Sequence, residues 1–108
     1  MLVDFHITDE STVAAISGVI NTDTAAELQK ELDKASRDRK LILDFKDVEY
    51  ITSAGLRVLL VIRKRFAEDM LKLINVAEAV NDVFVVSGFV AFESFNITSS
   101  VLVLSNAT

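Results

Sequence analysis

Residues 44–60 read DFKDVEYITSAGLRVLL. The β-forming pair Tyr50-Ile51 is followed by two hydroxyl side chains, an alanine and a glycine, and then by an apolar run. Because Lys40–Lys46 is a short run rich in β-formers, the stretch predicts a buried strand, a loop and a helix that begins near Ser53. The Thr52 hydroxyl and its neighbour would then lie at a helix N-terminus, where backbone N–H groups lack partners and negative charge is favoured.

Two interpretations of these hydroxyls stay open from the residues alone. One is an ordinary N-cap, a role that Ser and Thr fill well and that is worth about 1 kcal/mol. The other is a modifiable hydroxyl, since a phosphate charge of about −1.5 to −2 is tolerated at the same helix end. Gly55 costs about 1 kcal/mol against alanine inside a helix. We therefore expect a close approach to its backbone, such as that of a docked partner protein.

The rest of the chain predicts strands that alternate with helices. Two strands form an opening hairpin, a one-sided helix with its N-cap at Asp23 or Thr24 follows, and Thr24 and Glu27 have the capping-box spacing. The later elements are a strand, a helix that Gly88 would terminate, a helical turn and a short last strand. The proposed ranges of these strands and later elements are Leu2–Thr8, Thr12–Val19, Leu71–Val76, Ala77–Val86, Phe89–Phe92 and Phe95–Thr98.

This order predicts an α/β sandwich in a single domain over residues 1–108, with a mixed sheet of four to five strands and about four helices. In chain order the elements are β-β-α-β-α-β-α-(α)-β. The tail, SSVLVLSNAT, fits either a strand or a helix.

Composition excludes several functional classes. The chain has 108 residues, of which 51% are hydrophobic, and it contains no cysteine, which excludes disulfides and thiolate chemistry. The formal net charge of −5 argues against a nucleic-acid partner. No apolar run approaches the roughly 18 residues of a membrane span, and the N-terminus lacks the pattern of a secretory signal. We expect a cytoplasmic protein that does not insert into a membrane.

Catalytic and metal-binding patterns are absent from the sequence. His6 is the only histidine and lies in the opening strand, and no metalloprotease, nucleophile-elbow or P-loop motif occurs. Asp44 and Asp47 could form a metal pair, but a turn in which Asp47 faces solvent is the better interpretation. We expect a protein that is not an enzyme and that carries no metal or cofactor.

The stretch around Ser53 resembles the signature of the STAS domain family, in particular the bacterial anti-sigma factor antagonists. Two further segments, SGVINTDTAAELQKEL and NDVFVVSGFVAFESFNIT, resemble family segments and occur in the expected order. By this resemblance, Ser53 matches the serine that a partner kinase phosphorylates, and Thr52 is the second choice. Thr52 and Asn21 stand where many members have aspartate.

The resemblance implies a protein-binding switch. When Ser53 is unphosphorylated, the domain would bind an anti-sigma factor with serine kinase activity and so release a sigma factor. A phosphatase would be a further partner, and a homodimer through the apolar tail stays open. The predicted partner-binding residues, bordered by Val48 and Tyr50, are Asn21, Asp23, Thr24, Thr52, Ser53, Gly55 and Arg57. The alternative is a STAS scaffold subunit of a lipid ABC-type transport complex or of another partner-switching complex, acting without phosphorylation.

Overall fold

The first two strands form an antiparallel hairpin, as predicted. The structure is a computed structural model that describes residues 1–86, apart from the side chains of Glu68 and of residues 84–86. Strand β1 spans Leu2–Ile7 and strand β2 spans Ser11–Ile20. The turn is closed by a hydrogen bond of 2.8 Å from the Thr8 amide to the Ser11 carbonyl.

The sheet continues with two parallel strands. Strand β3 spans Lys40–Ile51 and strand β4 spans Leu71–Ile74, and the strand order is β1-β2-β3-β4. Strand β1 pairs antiparallel with β2, whereas β2–β3 and β3–β4 pair in parallel. The connections carry helix α1, Thr22–Leu32, and helix α2, Ser53–Arg65. After the short 3₁₀ helix Glu68–Met70 and β4, helix α3 spans Glu78–Val86.

The observed order confirms the predicted mixed-sheet α/β fold. Residues 1–86 contain four strands and three α-helices. The predicted helical turn Phe89–Phe92, the predicted last strand Phe95–Thr98, the capping role of Gly88 and the apolar tail lie outside the described residues.

Strand β3 continues beyond its predicted end at Lys46. In this part of the strand two bulges interrupt the alternation of buried and exposed side chains. The pairing advances from Ala15↔Asp44 to Ser17↔Asp47, and later from Gly18↔Val48 to Val19↔Tyr50, so that β3 contributes one extra residue each time. Each extra residue shifts the following side chains to the other face. The buried residues of β3 are therefore Leu41, Leu43, Phe45, Val48 and Ile51. The prediction that Asp47 lies in a turn was wrong, because Asp47 is an exposed residue of the strand.

Helix α1 begins earlier than predicted. Its N-cap is Asn21 rather than Asp23 or Thr24, and the capping box joins Asn21 to Thr24 rather than Thr24 to Glu27. The helix buries Ala25, Leu28 and Leu32 against the sheet and α2. An ion pair between Asp33 and Arg65 joins the C-terminal ends of α1 and α2.

Candidate functional site

Two helix N-termini lie side by side at one edge of the sheet. The parallel strands β2 and β3 end at Ile20 and Ile51, and the next helices begin within two residues of each end. A backbone hydrogen bond of 2.9 Å from the Thr52 amide to the Ile20 carbonyl joins the two loops. The fold therefore brings the loop before α1 next to the start of α2.

Asn21 caps α1 with its side chain. Its Oδ1 accepts hydrogen bonds from the amides of Asp23 at 2.9 Å and Thr24 at 3.1 Å. The Thr24 hydroxyl in turn accepts from the Asn21 amide at 2.9 Å and donates to the Val19 carbonyl at 2.9 Å. Asparagine caps a helix about as well as aspartate does, and unlike aspartate it adds no negative charge to this edge. The Thr24 hydroxyl is occupied within the chain.

The Thr52 hydroxyl does not cap α2. Thr52 occupies the N-cap position, but its side chain makes no capping hydrogen bond, and its Oγ1 is buried without a partner. The expectation of an ordinary hydroxyl cap is therefore wrong for Thr52. A buried oxygen is also a poor phosphate acceptor, because a kinase must reach it.

Ser53 is the exposed hydroxyl of the pair. It is the first residue of α2. The first backbone hydrogen bond of the helix runs from the Leu56 amide to the Thr52 carbonyl at 3.0 Å. The amides of Ser53, Ala54 and Gly55 precede that bond and have no helical acceptor. Arg57, also exposed, lies four residues further on the same face of the helix. A phosphate on Ser53 would thus meet amide donors, the positive end of the helix dipole and a guanidinium.

Gly55 is buried and lies against the chain's own core. A Cβ atom built there would lie 2.6 Å from Ile20 Cγ2 and 2.6 Å from Ile51 Cγ1. The close approach expected from a partner is therefore made by the last residues of β2 and β3. Helix α2 packs closely on these strands because position 55 has no side chain.

The border of the site differs from the prediction. Val48 is buried at 3% exposure because the first bulge turns it inward, whereas Tyr50 is 47% exposed. The sequence analysis missed Val19, which is 36% exposed and pairs with Tyr50 across the two strands. We call the exposed or half-buried residues Asn21, Asp23, Thr52, Ser53 and Arg57 the Ser53 edge; Val19 and Tyr50 form an apolar pair beside it.

Other candidate chemistry remains dispersed. Within residues 1–86, no three or more His, Cys, Asp or Glu side chains are grouped as metal ligands, and no helix in that range is long and apolar enough to cross a membrane. Asp44 accepts hydrogen bonds from the Lys46 amide at 3.0 Å and from the Asn75 side chain at 3.1 Å. His6 is exposed on β1.

Two sequence comparisons relate the chain to known proteins. The family model described as "Mlab, STAS domain" matches residues 3–94. The putative anti-sigma factor antagonist BtrV of Bordetella bronchiseptica is 37% identical over 89 residues, which cover 77% of this chain and 75% of that protein.

Solved structures share the fold at lower identity. An anti-sigma factor antagonist from Mycobacterium paratuberculosis has a TM-score of 0.79 at 19% identity and covers 98% of this chain and 92% of its own. A putative anti-sigma factor antagonist from Thermotoga maritima has a TM-score of 0.72 at 20% identity, with coverages of 97% and 92%. The antagonist SpoIIAA in its unphosphorylated form has a TM-score of 0.68 at 14% identity, with coverages of 98% and 96%.

Proposed function

The chain belongs to the STAS domain family, and from this membership we propose that it is an anti-sigma factor antagonist switched by phosphorylation of Ser53. The observation that carries the proposal is the 37% identity to a putative anti-sigma factor antagonist over 77% of this chain. In the cell, the domain would bind an anti-sigma factor of the serine-kinase type and so release a sigma factor.

The exposure of Ser53 supports the position of the switch. Ser53 is exposed, whereas the Oγ1 atom of Thr52 is buried, so a kinase can reach the Ser53 hydroxyl without local unfolding. The kinase would supply ATP and the catalytic groups, and this domain would supply the acceptor hydroxyl and the docking surface. A phosphatase would return the domain to its binding form.

The chemistry of the Ser53 edge supports the direction of the switch. Without phosphate, the edge presents a neutral hydroxyl and the amide Asn21 beside the apolar pair Val19 and Tyr50. The two charged residues of the edge, Asp23 and Arg57, have opposite signs, so the unmodified edge brings no net charge into a contact. Phosphate on Ser53 adds about −1.5 to −2 charges, and burying that charge in a partner contact costs several kcal/mol unless it is paired there. Arg57 and the free amides at the start of α2 would stabilise the phosphate in the unbound domain. This increases the difference in binding free energy between the unmodified and the phosphorylated domain.

The test is the affinity of the domain for the kinase-type anti-sigma factor of its own organism, measured by calorimetry. We expect Ser53→Asp to abolish binding and Ser53→Ala to bind while resisting phosphorylation by the kinase and ATP. Gln29→Glu adds the same single charge on α1 and should bind like the wild type. Unchanged affinity of Ser53→Asp would refute the switch, and intact-mass and peptide mass spectrometry of the native protein would identify the modified residue.

A second candidate is a constitutive scaffold subunit of a transport complex. Two points favour it: the matching family model is described as "Mlab, STAS domain", and by the family resemblance Thr52 and Asn21 stand where many members have aspartate. In that case the same edge would contact its partner permanently. Native protein that stays unmodified at Ser53 under several growth conditions, together with Ser53→Ala and wild type binding the same partner equally with or without ATP, would favour this function.

A further inference from the structure

A cavity lies at the opposite edge of the sheet from Ser53. It opens where β2 and β3 begin, beside the end of β1 and the turn that follows α1, and its volume is about 290 Å³. The lining residues are Phe5, Ile7, Thr12, Lys34, Ala35, Ser36 and Arg39. None of them belongs to the Ser53 edge, so the cavity is separate from the proposed switch.

One wall of the cavity is apolar. Phe5 and Ile7 are alternate residues of β1 on the face that packs toward the helices, since they pair with Ala14 and Thr12 of β2. Ala35 closes the wall from the turn after α1, where its amide donates to the Leu32 carbonyl at 3.1 Å. Ile7 remains 65% exposed, so the core of the domain leaves this part of the wall uncovered.

The lining of the cavity also contains two cations, Lys34 and Arg39. Lys34 is held by Glu31 of the preceding turn, with Nζ 3.1 Å from Oε1, which partly neutralises it. Arg39 is half-buried and, within the part of the chain that the structure describes, forms no ion pair. In a chain with a net charge of −5, a cavity lined by apolar side chains and by an arginine without an ion pair favours an anionic ligand with an apolar body.

We infer that this cavity binds a small amphipathic carboxylate, with the carboxylate on Arg39 and a short aryl or alkyl body against Phe5 and Ile7. The volume lies at the lower limit of small-molecule pockets, which begin at about 300 Å³, and this favours a small ligand. The Ser36 and Thr12 side chains, half-buried and buried respectively, provide polar groups at the cavity wall. The site would give the domain a small-molecule ligand in addition to its protein partner.

The test is a titration of the ¹⁵N-labelled 108-residue chain with phenylacetate and with octanoate, in which amide chemical shifts are measured. We expect saturable shifts at the cavity residues, with a dissociation constant on the order of 0.1 to 1 mM for a ligand of this size. Phenylacetamide has the shape of phenylacetate without its charge and should bind about fivefold more weakly or worse.

Matched variants distinguish the contributions of Arg39 and of Ile7 to binding from general effects of charge and of hydrophobicity. Arg39→Gln should weaken phenylacetate binding about fivefold, whereas Arg37→Gln, an exposed arginine outside the cavity, should leave it unchanged. Ile7→Ser should weaken it about threefold, whereas Leu2→Ser should not, because Leu2 is equally exposed on β1 but does not line the cavity. Circular dichroism of each variant checks the fold.

Three results would overturn the inference. The first is the absence of saturable shifts with both carboxylates, and the second is an equal loss of affinity in Arg37→Gln and Arg39→Gln, which would indicate general charge attraction. The third is a set of shifts centred on Ser53 rather than on the cavity. The proposed function does not depend on any of these outcomes, because the cavity shares no residue with the Ser53 edge.

Discussion

Replacement of Gly55 by alanine is expected to destabilise the protein by about 2 kcal/mol. The added Cβ would lie 2.6 Å from two carbon atoms, one on Ile20 and one on Ile51, and both isoleucines are fully buried. Ile20 Cγ2 is bonded directly to Cβ, so it can move away only by rotation of χ1 or by a shift of the strand. Overpacking of this kind costs about 1–3 kcal/mol, and with two such contacts we expect a cost of about 3 kcal/mol.

Helix propensity opposes this cost. Alanine is better than glycine inside a helix by about 1 kcal/mol, so the net loss is about 2 kcal/mol. For a domain of this size, 1 kcal/mol corresponds to roughly 4 °C in the melting temperature, and a decrease of about 8 °C should follow. Urea unfolding monitored by circular dichroism measures the free energy directly, and an unchanged m-value would show that only stability has changed.

The alternative explanation of Gly55 gives the opposite result. If the glycine were needed only for the approach of a partner, Gly55→Ala would stabilise the free domain by about 1 kcal/mol and weaken partner binding. The variant Ile51→Ala provides the control, because it removes Cγ1 and with it one of the two close contacts of the new Cβ. In that background Gly55→Ala should cost clearly less than in the wild type. A free energy of unfolding equal to or above that of the wild type would refute the packing argument.

Three further predictions concern the same helices. Asn21→Ala should cost about 1 kcal/mol by removing the cap of α1, whereas Asn21→Asp should match the wild type or exceed it by a few tenths of a kcal/mol, and thermal unfolding compares the two. Thr52→Val should leave the free energy of unfolding unchanged or raise it by up to about 1 kcal/mol, because the buried Thr52 hydroxyl has no partner. Thr24→Val should lower it by about 1 kcal/mol, because the Thr24 hydroxyl makes two hydrogen bonds with the backbone. Urea unfolding measures both variants, and a loss in Thr52→Val with a gain in Thr24→Val would contradict the prediction. Arg65→Met should cost less than about 1 kcal/mol despite its ion pair with Asp33, since both side chains are about one-third exposed, and a larger loss in a double-mutant cycle would show that solvent screens the pair less than we expect.

Much of the fold could be predicted from periodicity and from the order of the elements. The hairpin, the alternation of strands and helices, and the helix that begins at Ser53 are all in the structure, because each has a strong local signal. The proximity of Asn21 to Ser53 also follows from the order, since the carboxyl ends of neighbouring parallel strands meet at one edge of a sheet.

The second half of β3 could not be predicted from the alternation of its side chains. Two bulges change the spacing of buried residues from two to three after Phe45, so Val48 and Ile51 are buried while the residues between them are exposed. A pattern without constant period resembles a loop in the sequence, although the backbone continues to pair with β2. Whether the Thr52 hydroxyl caps α2 likewise depends on backbone angles, which residue type alone does not specify.

The bulges of β3 also affect how relatives should be aligned. Between the same two ends of the pairing, β3 accommodates two residues more than β2, one around Phe45–Lys46 and one at Glu49. A relative that lacks either extra residue could still pair the positions of Ile20 and Ile51, so that its next helix begins at the same place. A deletion elsewhere in the strand would instead turn the core residues of the strand to solvent. An alignment gap a few residues before the position of Ser53 is therefore compatible with an unchanged strand, provided that the gap falls at one of the two bulges.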